Sequence, residues 1–427
     1  MTESIVPVKT LAFERARVRP IDGFARRVLL ELLEKLEHGR LTLVDGPERR
    51  SFGPAAGEAS LEATLTVHHP RFYGSCLLGG TVGAAEAYMS GFWSTDDLTA
   101  LLRIFARQPE LFGRMDKGLA RLTAPALKIA HALNKNTRSG SRRNIVAHYD
   151  LGNEFYALFL DETLTYSCGI FEREDSTLAD ASVAKYERIC RKLGLSASDR
   201  VLEIGTGWGG FALHAAGRYG CRVTTTTISE RQYTHARRRI EAAGLSGRIT
   251  LLKQDYRDLR GEFDKLVSIE MIEAVGHHCL EDFFRVCSER LAPDGAMLLQ
   301  AITIRDQVFD RHKREVDFIK RYIFPGSCIP SVAAIAQATA RAGDLRLFHL
   351  EDITPHYART LHAWRENFFR NLEQVRALGF PEAFVRMWEF YLCYCEAGFA
   401  ERYLGDVQIV FTKPASRMDP ILPPLPR

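Results

Sequence analysis

The run Val201-Leu202-Glu203-Ile204-Gly205-Thr206-Gly207-Trp208-Gly209-Gly210 joins a short apolar stretch to a glycine turn, and the helical pattern FALHAAGRYG follows it. Glycines at a strand-to-helix turn let a ligand lie close against the backbone. Gly205, Gly207 and Gly210 fit the dinucleotide pattern GxGxxG, and Glu230 stands near the offset where an acid would hold a ribose. That pattern alone is weak. Glu203, two residues before the first glycine, argues for a different ligand, because a carboxylate facing the turn suits a positive ammonium and repels a pyrophosphate. The combination favours a nucleotide-type methyl donor, S-adenosylmethionine, over a nicotinamide dinucleotide. A glycine turn that serves only helix–sheet packing is the third reading. A methyl-donor site also asks for polar groups that hold a sulfonium without attacking it, since a nearby nucleophilic carboxylate or thiolate would itself be methylated.

Other residues invite chemistry with less force. Glu273 sits in the otherwise apolar MIEAVG after an apolar run, where an unpaired carboxylate is costly. His277 and His278 are followed at four residues by Glu281 and Asp282, but adjacent histidines point to different helix faces and form no HExxH-type pair. They read as surface or capping residues, and no metal is expected. Nine cysteines, from Cys76 to Cys395, include no CxxC pair and no zinc spacing, so reduced thiols are the expectation. Cys168 reads equally as a packed small hydrophobe, and Tyr357, after His356, as a helix cap.

The elements that must position these groups follow from periodicity. From Asp199 onward the apolar runs DRVLEI, CRVTTTTIS, RITLLKQD, FDKLVSIE, GAMLLQAITI, LRLFHLEDI and DVQIVFTKP alternate with helical stretches, which calls for a mostly parallel sheet covered on both faces. The interval near 305–341 is too long for a simple crossover and too apolar for a solvated loop, and is expected to be a lid or acyl-channel insertion. Residues 1–120 mix helical and alternating patterns and read as a smaller α+β domain. Between Leu101 and Ile145 ten basic residues face two acids, against a formal charge of only +4 for all 427 residues. Its part 121–142 reads as a basic amphipathic connector, with Pro125 starting or kinking a helix, and 143–427 as the catalytic domain. Composition, at 46% hydrophobic and 26% charged residues, is that of an ordinary globular chain. The small net charge speaks against nucleic acid as a partner. No apolar run approaches the ~18 residues that span a bilayer, and the first twenty residues lack the apolar core of a signal peptide. A cytoplasmic location is expected.

Several blocks together resemble the cyclopropane fatty acid synthase family of S-adenosylmethionine-dependent methyltransferases. They are GAAEAYMSGFWSTDDL, NIVAHYDLGNEFYALFLDETLTYSCGIF, VLEIGTGWGG, TISERQ, QDYRDL, SIEMIEAVG, FIKRYIFPGSCIPS, PHYARTLHAWRENF and MWEFYLCYCEAGF. The resemblance implies a seven-stranded Rossmann-like class I methyltransferase domain with a smaller N-terminal domain, acting on unsaturated acyl chains of membrane phospholipids. It implies a donor site of Tyr166, Ser167, Glu203, Gly205, Gly207, Gly209, Thr227, Ser229 and Gln232, with Tyr256 and Arg257 beside the adenine. It further implies that a bound bicarbonate serves as the base, held by positions matching Cys168, Glu273, Ile302 and Tyr357, with Glu273 as an anchor. Cys395, in CYCEAGF, matches a family cysteine near the substrate pocket.

One position departs from the better-known bacterial members. Where they carry histidine in an LHTI run, this chain reads Leu299-Gln300-Ala301-Ile302. Gln300 donates and accepts hydrogen bonds but carries no charge, so it holds an anion less firmly and ring closure is less secure than methyl transfer. The expected product is a cyclopropane acyl chain, with a methyl- or methylene-branched chain as the alternative. For the basic stretch, a solvated face is the plain reading. The lipid substrate suggests instead that Arg121, Lys128, Lys135, Arg142 and Arg143 meet anionic headgroups at the inner membrane face, each contributing about 1 kcal/mol. The N-terminal domain is expected to orient the membrane, form a homodimer, or both.

Overall fold

The computed structural model describes residues 18–55, 61–108 and 151–422. The connector 121–142 with Pro125, and all of the basic stretch except Arg103 and Arg107, lie outside the described residues. Two compact units are formed: Met1–Leu133 with Arg314–Pro325 and Leu361–Tyr403, and Asn134–Lys313 with Gly326–Thr360 and Leu404–Arg427.

In the first unit, strands β1 (Arg40–Asp45), β2 (Glu48–Phe52), β3 (Glu62–Val67) and β4 (Trp93–Thr95) form a sheet of order β2-β1-β3-β4. The β1–β2 hairpin is antiparallel, and β3 returns parallel to β1. The helix Arg71–Met89 leaves helical geometry at Gly80, and a Cβ at Gly83 would stand 2.0 Å from the Ser75 carbonyl oxygen. Only glycine allows that approach. Trp93 is core, its indole N–H donating to the Ala84 carbonyl at 2.9 Å. The later segments join this unit through specific polar contacts. Tyr88 donates its hydroxyl proton to Glu389 at 2.7 Å, and Arg103 and Arg107 each donate to Glu401 at 2.7 Å.

The second unit carries β5 (Arg200–Ile204), β6 (Arg222–Thr227), β7 (Ile249–Lys253), β8 (Phe263–Ile269), β9 (Leu291–Ile304), β10 (Arg346–Asp352) and β11 (Leu404–Thr412). They form one sheet of order β10-β11-β9-β8-β5-β6-β7. The first five strands run parallel, and β11 and β10 are antiparallel additions at one side. All seven apolar runs are strands of this sheet, so the expected seven-stranded α/β architecture is the observed one. Side-chain alternation divides its core in two. Leu202, Ile204, Leu266 and Leu299 pack toward Phe283, Phe284 and Ile335 on one face. Val201, Val267 and Leu298 pack toward Ile189, Phe211 and Ala212 on the other. After β5 the chain builds outward through β6 and β7, then returns to place β8 on the opposite side of β5. Ligands of open α/β sheets bind at the carboxyl ends of strands beside such a reversal.

Candidate active site

The glycine turn stands at the carboxyl end of β5. Gly205, Gly207 and Gly209 have φ of +99°, +51° and +90°, values that L side chains rarely adopt. A Cβ at Gly207 would meet nothing within 4 Å, so the backbone here lies bare to a ligand. Glu203 is buried with 2% of its surface exposed, and its carboxylate accepts from the Thr225 hydroxyl at 2.5 Å. Burial pushes its carboxyl up to about 7, while Thr225 and the charge of Lys185 hold it from rising further. These features fit an S-adenosylmethionine-type donor: a bare turn for the nucleoside and a carboxylate whose missing counter-charge an ammonium supplies.

The remaining residues that the resemblance assigns to the donor site are partly committed to one another. Thr227 donates to Gln232 at 2.8 Å, Ser229 caps the helix Glu230–Ala242 by accepting from the Gln232 N–H at 3.3 Å, and the Ser229 N–H donates to Thr227. Ser167 accepts from the ammonium of Lys185 at 2.6 Å, and Tyr166 packs edge-on against Tyr156. Arg257 is locked onto Asp255 by hydrogen bonds of 2.8 and 2.6 Å, and Tyr256 lies edge-on to Phe283.

A second cluster gathers beside the turn, where β8 and β9 end and β11 begins. Its centre is Glu270, the residue after β8, which the sequence reading passed over. Its Oε1 accepts from the Cys168 backbone N–H and from the Gln300 amide nitrogen, both at 2.8 Å, and its Oε2 accepts from the Tyr357 hydroxyl at 2.6 Å. Its φ is +46°, a left-handed conformation that costs a non-glycine residue about 1–2 kcal/mol. Glu273 is anchored by the Ile302 N–H at 2.6 Å, and its Oε2 is buried without a hydrogen-bond partner among the described residues. Burial, and then the Glu270 carboxylate, push the Glu273 carboxyl up to about 8. Asp406 is fully buried and accepts weakly from Gln300 at 3.3 Å. Burial and the charges of Glu270 and Glu273 push it well above the usual carboxylate range.

The orientation of Gln300 is set from behind. It faces Gln408 across the β9–β11 register, and the Gln408 amide donates to the Gln300 carbonyl oxygen at 3.0 Å. Lys192 in turn donates to the Gln408 oxygen at 2.8 Å. The Gln300 amino group is thereby turned toward Glu270. Lys185, fully buried, is the nearby cation, and burial draws its pKa down.

Cys168, Glu273, Gln300, Ile302 and Tyr357 are thus brought together, but not in the expected pattern. Tyr357 lies inside the first turn of the helix Thr354–Arg370, where its hydroxyl meets Glu270 and does not serve as a cap. The Cys168 thiol is fully buried and donates to the Gly169 carbonyl, and burial, with Asp406 and Glu270 beyond it, raises its pKa well above the ordinary value. What Cys168 offers the cluster is its backbone N–H. Cys395 belongs to the first unit, on the helix Glu382–Ala400, with its thiol pushed up by burial. Among the described residues no group of three or more His, Cys, Asp or Glu side chains is placed to hold a metal ion. A bicarbonate does not fit the positions the resemblance assigned to it. The Cys168 N–H and Tyr357 hydroxyl are already donated to Glu270 and the Ile302 N–H to Glu273, and a further anion would face three acidic side chains.

A sheet of this order, with an acid and a glycine turn ending its central strand, defines the Rossmann-like methyltransferases that use S-adenosylmethionine. Comparison with known proteins narrows the class. The family model for mycolic acid cyclopropane synthetase matches residues 136–409, and the chain belongs to that family. It is 38% identical over 368 residues to the tuberculostearic acid methyltransferase UfaA1 of Mycobacterium tuberculosis, covering 84% of this chain and 85% of that protein. It is 36% identical over 357 residues to the cyclopropane-fatty-acyl-phospholipid synthase of Escherichia coli, covering 83% and 89%. Among solved structures, the mycolic acid cyclopropane synthase CmaA1 complexed with SAH and CTAB superposes with a TM-score of 0.60 at 32% identity. That match covers 64% of this chain and 98% of the other. The protein is an S-adenosylmethionine-dependent methyltransferase of the cyclopropane synthase type.

Proposed function

We propose that this enzyme delivers a methylene carbon from S-adenosylmethionine to the cis double bond of an unsaturated phospholipid acyl chain and closes a cyclopropane ring. One arrangement carries the reading: the bare glycine turn with Glu203 at the end of β5, beside the cluster of Glu270, Glu273, Gln300 and Tyr357 where β8 and β9 end. When bound, the donor supplies an electrophilic methyl group. Glu203 holds its ammonium, Gly205, Gly207 and Gly209 admit its nucleoside, and Tyr166, Ser167, Thr227, Ser229, Gln232, Tyr256 and Arg257 frame it. An isolated alkene is a poor nucleophile, so the protein must fix it against the methyl group in a dry site, where orientation contributes on the order of 7–11 kcal/mol. Methyl transfer leaves a cation on the acyl chain. The carboxylates and carbonyl dipoles of the cluster stabilise that charge, and a base removes the proton that lets the ring close.

The enzyme works as a peripheral protein at the inner membrane face. No described helix is long and apolar enough to cross a membrane, and Arg121, Lys128, Lys135, Arg142 and Arg143 supply attraction to anionic headgroups. Residues 1–120 orient the enzyme or form a homodimer.

A second reading, a methyl- or methylene-branched product, is favoured by the neutral Gln300 and by the relative named a tuberculostearic acid methyltransferase. Mass spectrometry of unsaturated phospholipid vesicles incubated with enzyme and methyl-labelled donor tests the transfer. NMR of the product separates the readings: upfield ring protons support cyclopropanation, vinylidene or new methyl signals the alternative, and unlabelled lipid refutes both.

A further inference from the structure

We propose that Glu270 is the proton acceptor of this reaction, an internal carboxylate that takes the place of a bound base. The inference rests on the methyl-transfer reading above. Three separate elements converge on this one side chain: the loop at Cys168, strand β9 at Gln300, and the helix Thr354–Arg370 at Tyr357. Each of them donates, and none accepts, so the site they form is built for a negative charge, and the chain fills it itself. Among the described residues the Cys168 N–H and the Gln300 amide both donate to Oε1, and the Tyr357 hydroxyl donates to Oε2, which makes Oε2 the less occupied oxygen for a proton. Glu270 is half-buried, whereas Glu273 and Asp406 are buried. It is therefore the carboxylate of the three that an incoming acyl chain can reach. Its left-handed backbone, φ +46°, is a strained conformation of the kind retained where surroundings and function over-determine it.

The step balances without any outside reagent. After methyl transfer the acyl chain carries a cation beside the new carbon, and the demethylated donor leaves as its thioether. A C–H bond of the new carbon breaks, its electron pair forms the third ring bond, and the proton goes to Glu270 Oε2. For the methylene-branched product the same oxygen takes the proton after a hydride shift, and the electron pair forms the vinylidene double bond. Three hydrogen bonds hold the carboxylate as a weak nucleophile toward carbon, which disfavours its trapping the cation as an ester.

The test uses the full-length enzyme, unsaturated anionic phospholipid vesicles and methyl-labelled donor, in buffer stripped of carbon dioxide and in the same buffer with bicarbonate restored. The wild type is expected to form the same labelled product at the same rate in both. Glu270→Gln keeps the shape but not the base, and is expected to lose about 10²–10⁴-fold in product formation with donor binding unchanged by calorimetry. Glu270→Gly suits the left-handed backbone and opens the anion site, and its activity is expected to return on adding bicarbonate or formate. A wild type that stops without bicarbonate, or a Glu270→Gln variant that turns over normally, overturns the proposal and leaves the methyl-transfer reading standing. A wild type that labels no lipid in either buffer overturns that reading, and this role with it.

Discussion

Glu203→Gln is expected to make the free enzyme more stable and the donor complex weaker. The carboxyl is 2% exposed and pushed from its ordinary 4.5 up to about 7 by burial. Between those two values the folded protein holds a proton that the unfolded chain has released, so stability falls as pH rises through this window and the loss is complete above it. At pH 8 the shift corresponds to about 3 kcal/mol withdrawn from folding. Glutamine carries no charge to desolvate and keeps an oxygen for the Thr225 hydroxyl, so the variant recovers this amount at pH 8 and almost none at pH 4. The same change removes the counter-charge of the donor's ammonium. A hydrogen bond to a charged group contributes about 1.5–3 kcal/mol, so donor affinity falls roughly 10- to 100-fold. Urea unfolding at both pH values measures the first effect and titration calorimetry the second. Calorimetry near pH 7 in buffers of different ionisation enthalpy should also show proton release when wild type binds donor. A variant that is less stable at pH 8, or that binds donor as tightly as wild type, refutes the reasoning.

Tyr357→Phe removes the hydroxyl that donates to Glu270 Oε2, a charge-assisted bond whose loss should lower kcat about tenfold or more. Donor affinity measured by calorimetry should stay unchanged. Cys168→Ala keeps the backbone N–H that meets Glu270, so steady-state activity should stay within about threefold of wild type. The buried native thiol should also resist iodoacetamide, because the thiolate is the reactive form. Gly205→Ala forces a Cβ into φ +99° and to 3.2 Å from Met271, and thermal unfolding should show a loss of about 1–3 kcal/mol.

Much of the second unit is legible along the chain because its information is local. Each strand is a continuous apolar run bounded by turn residues, and the glycine turn with Glu203 occupies consecutive positions. Glu270 escaped although it stands in the same SIEMIEAVG run as Glu273. The signal was there: an acid directly after an apolar run, the placement that singled out Glu273. Its partners come from positions 168, 300 and 357, and no spacing rule joins them. Lys185 and Lys192 are both buried, with partners at Ser167 before their helix and at Gln408 in the last strand, which no local pattern announces. Asp406 opens the last strand, and its fellow acids lie more than a hundred residues earlier. Ion pairs such as Arg103–Glu401 link segments by packing alone.

The left-handed backbone at position 270 also has an evolutionary consequence. Glycine occupies such a conformation without penalty, and a glycine codon becomes a glutamate codon by a single base change. The fold therefore accepts either residue there, and a lineage carrying it gains or surrenders a self-contained base by point mutation. Dependence on a dissolved anion is in this architecture a property that selection can set one nucleotide at a time.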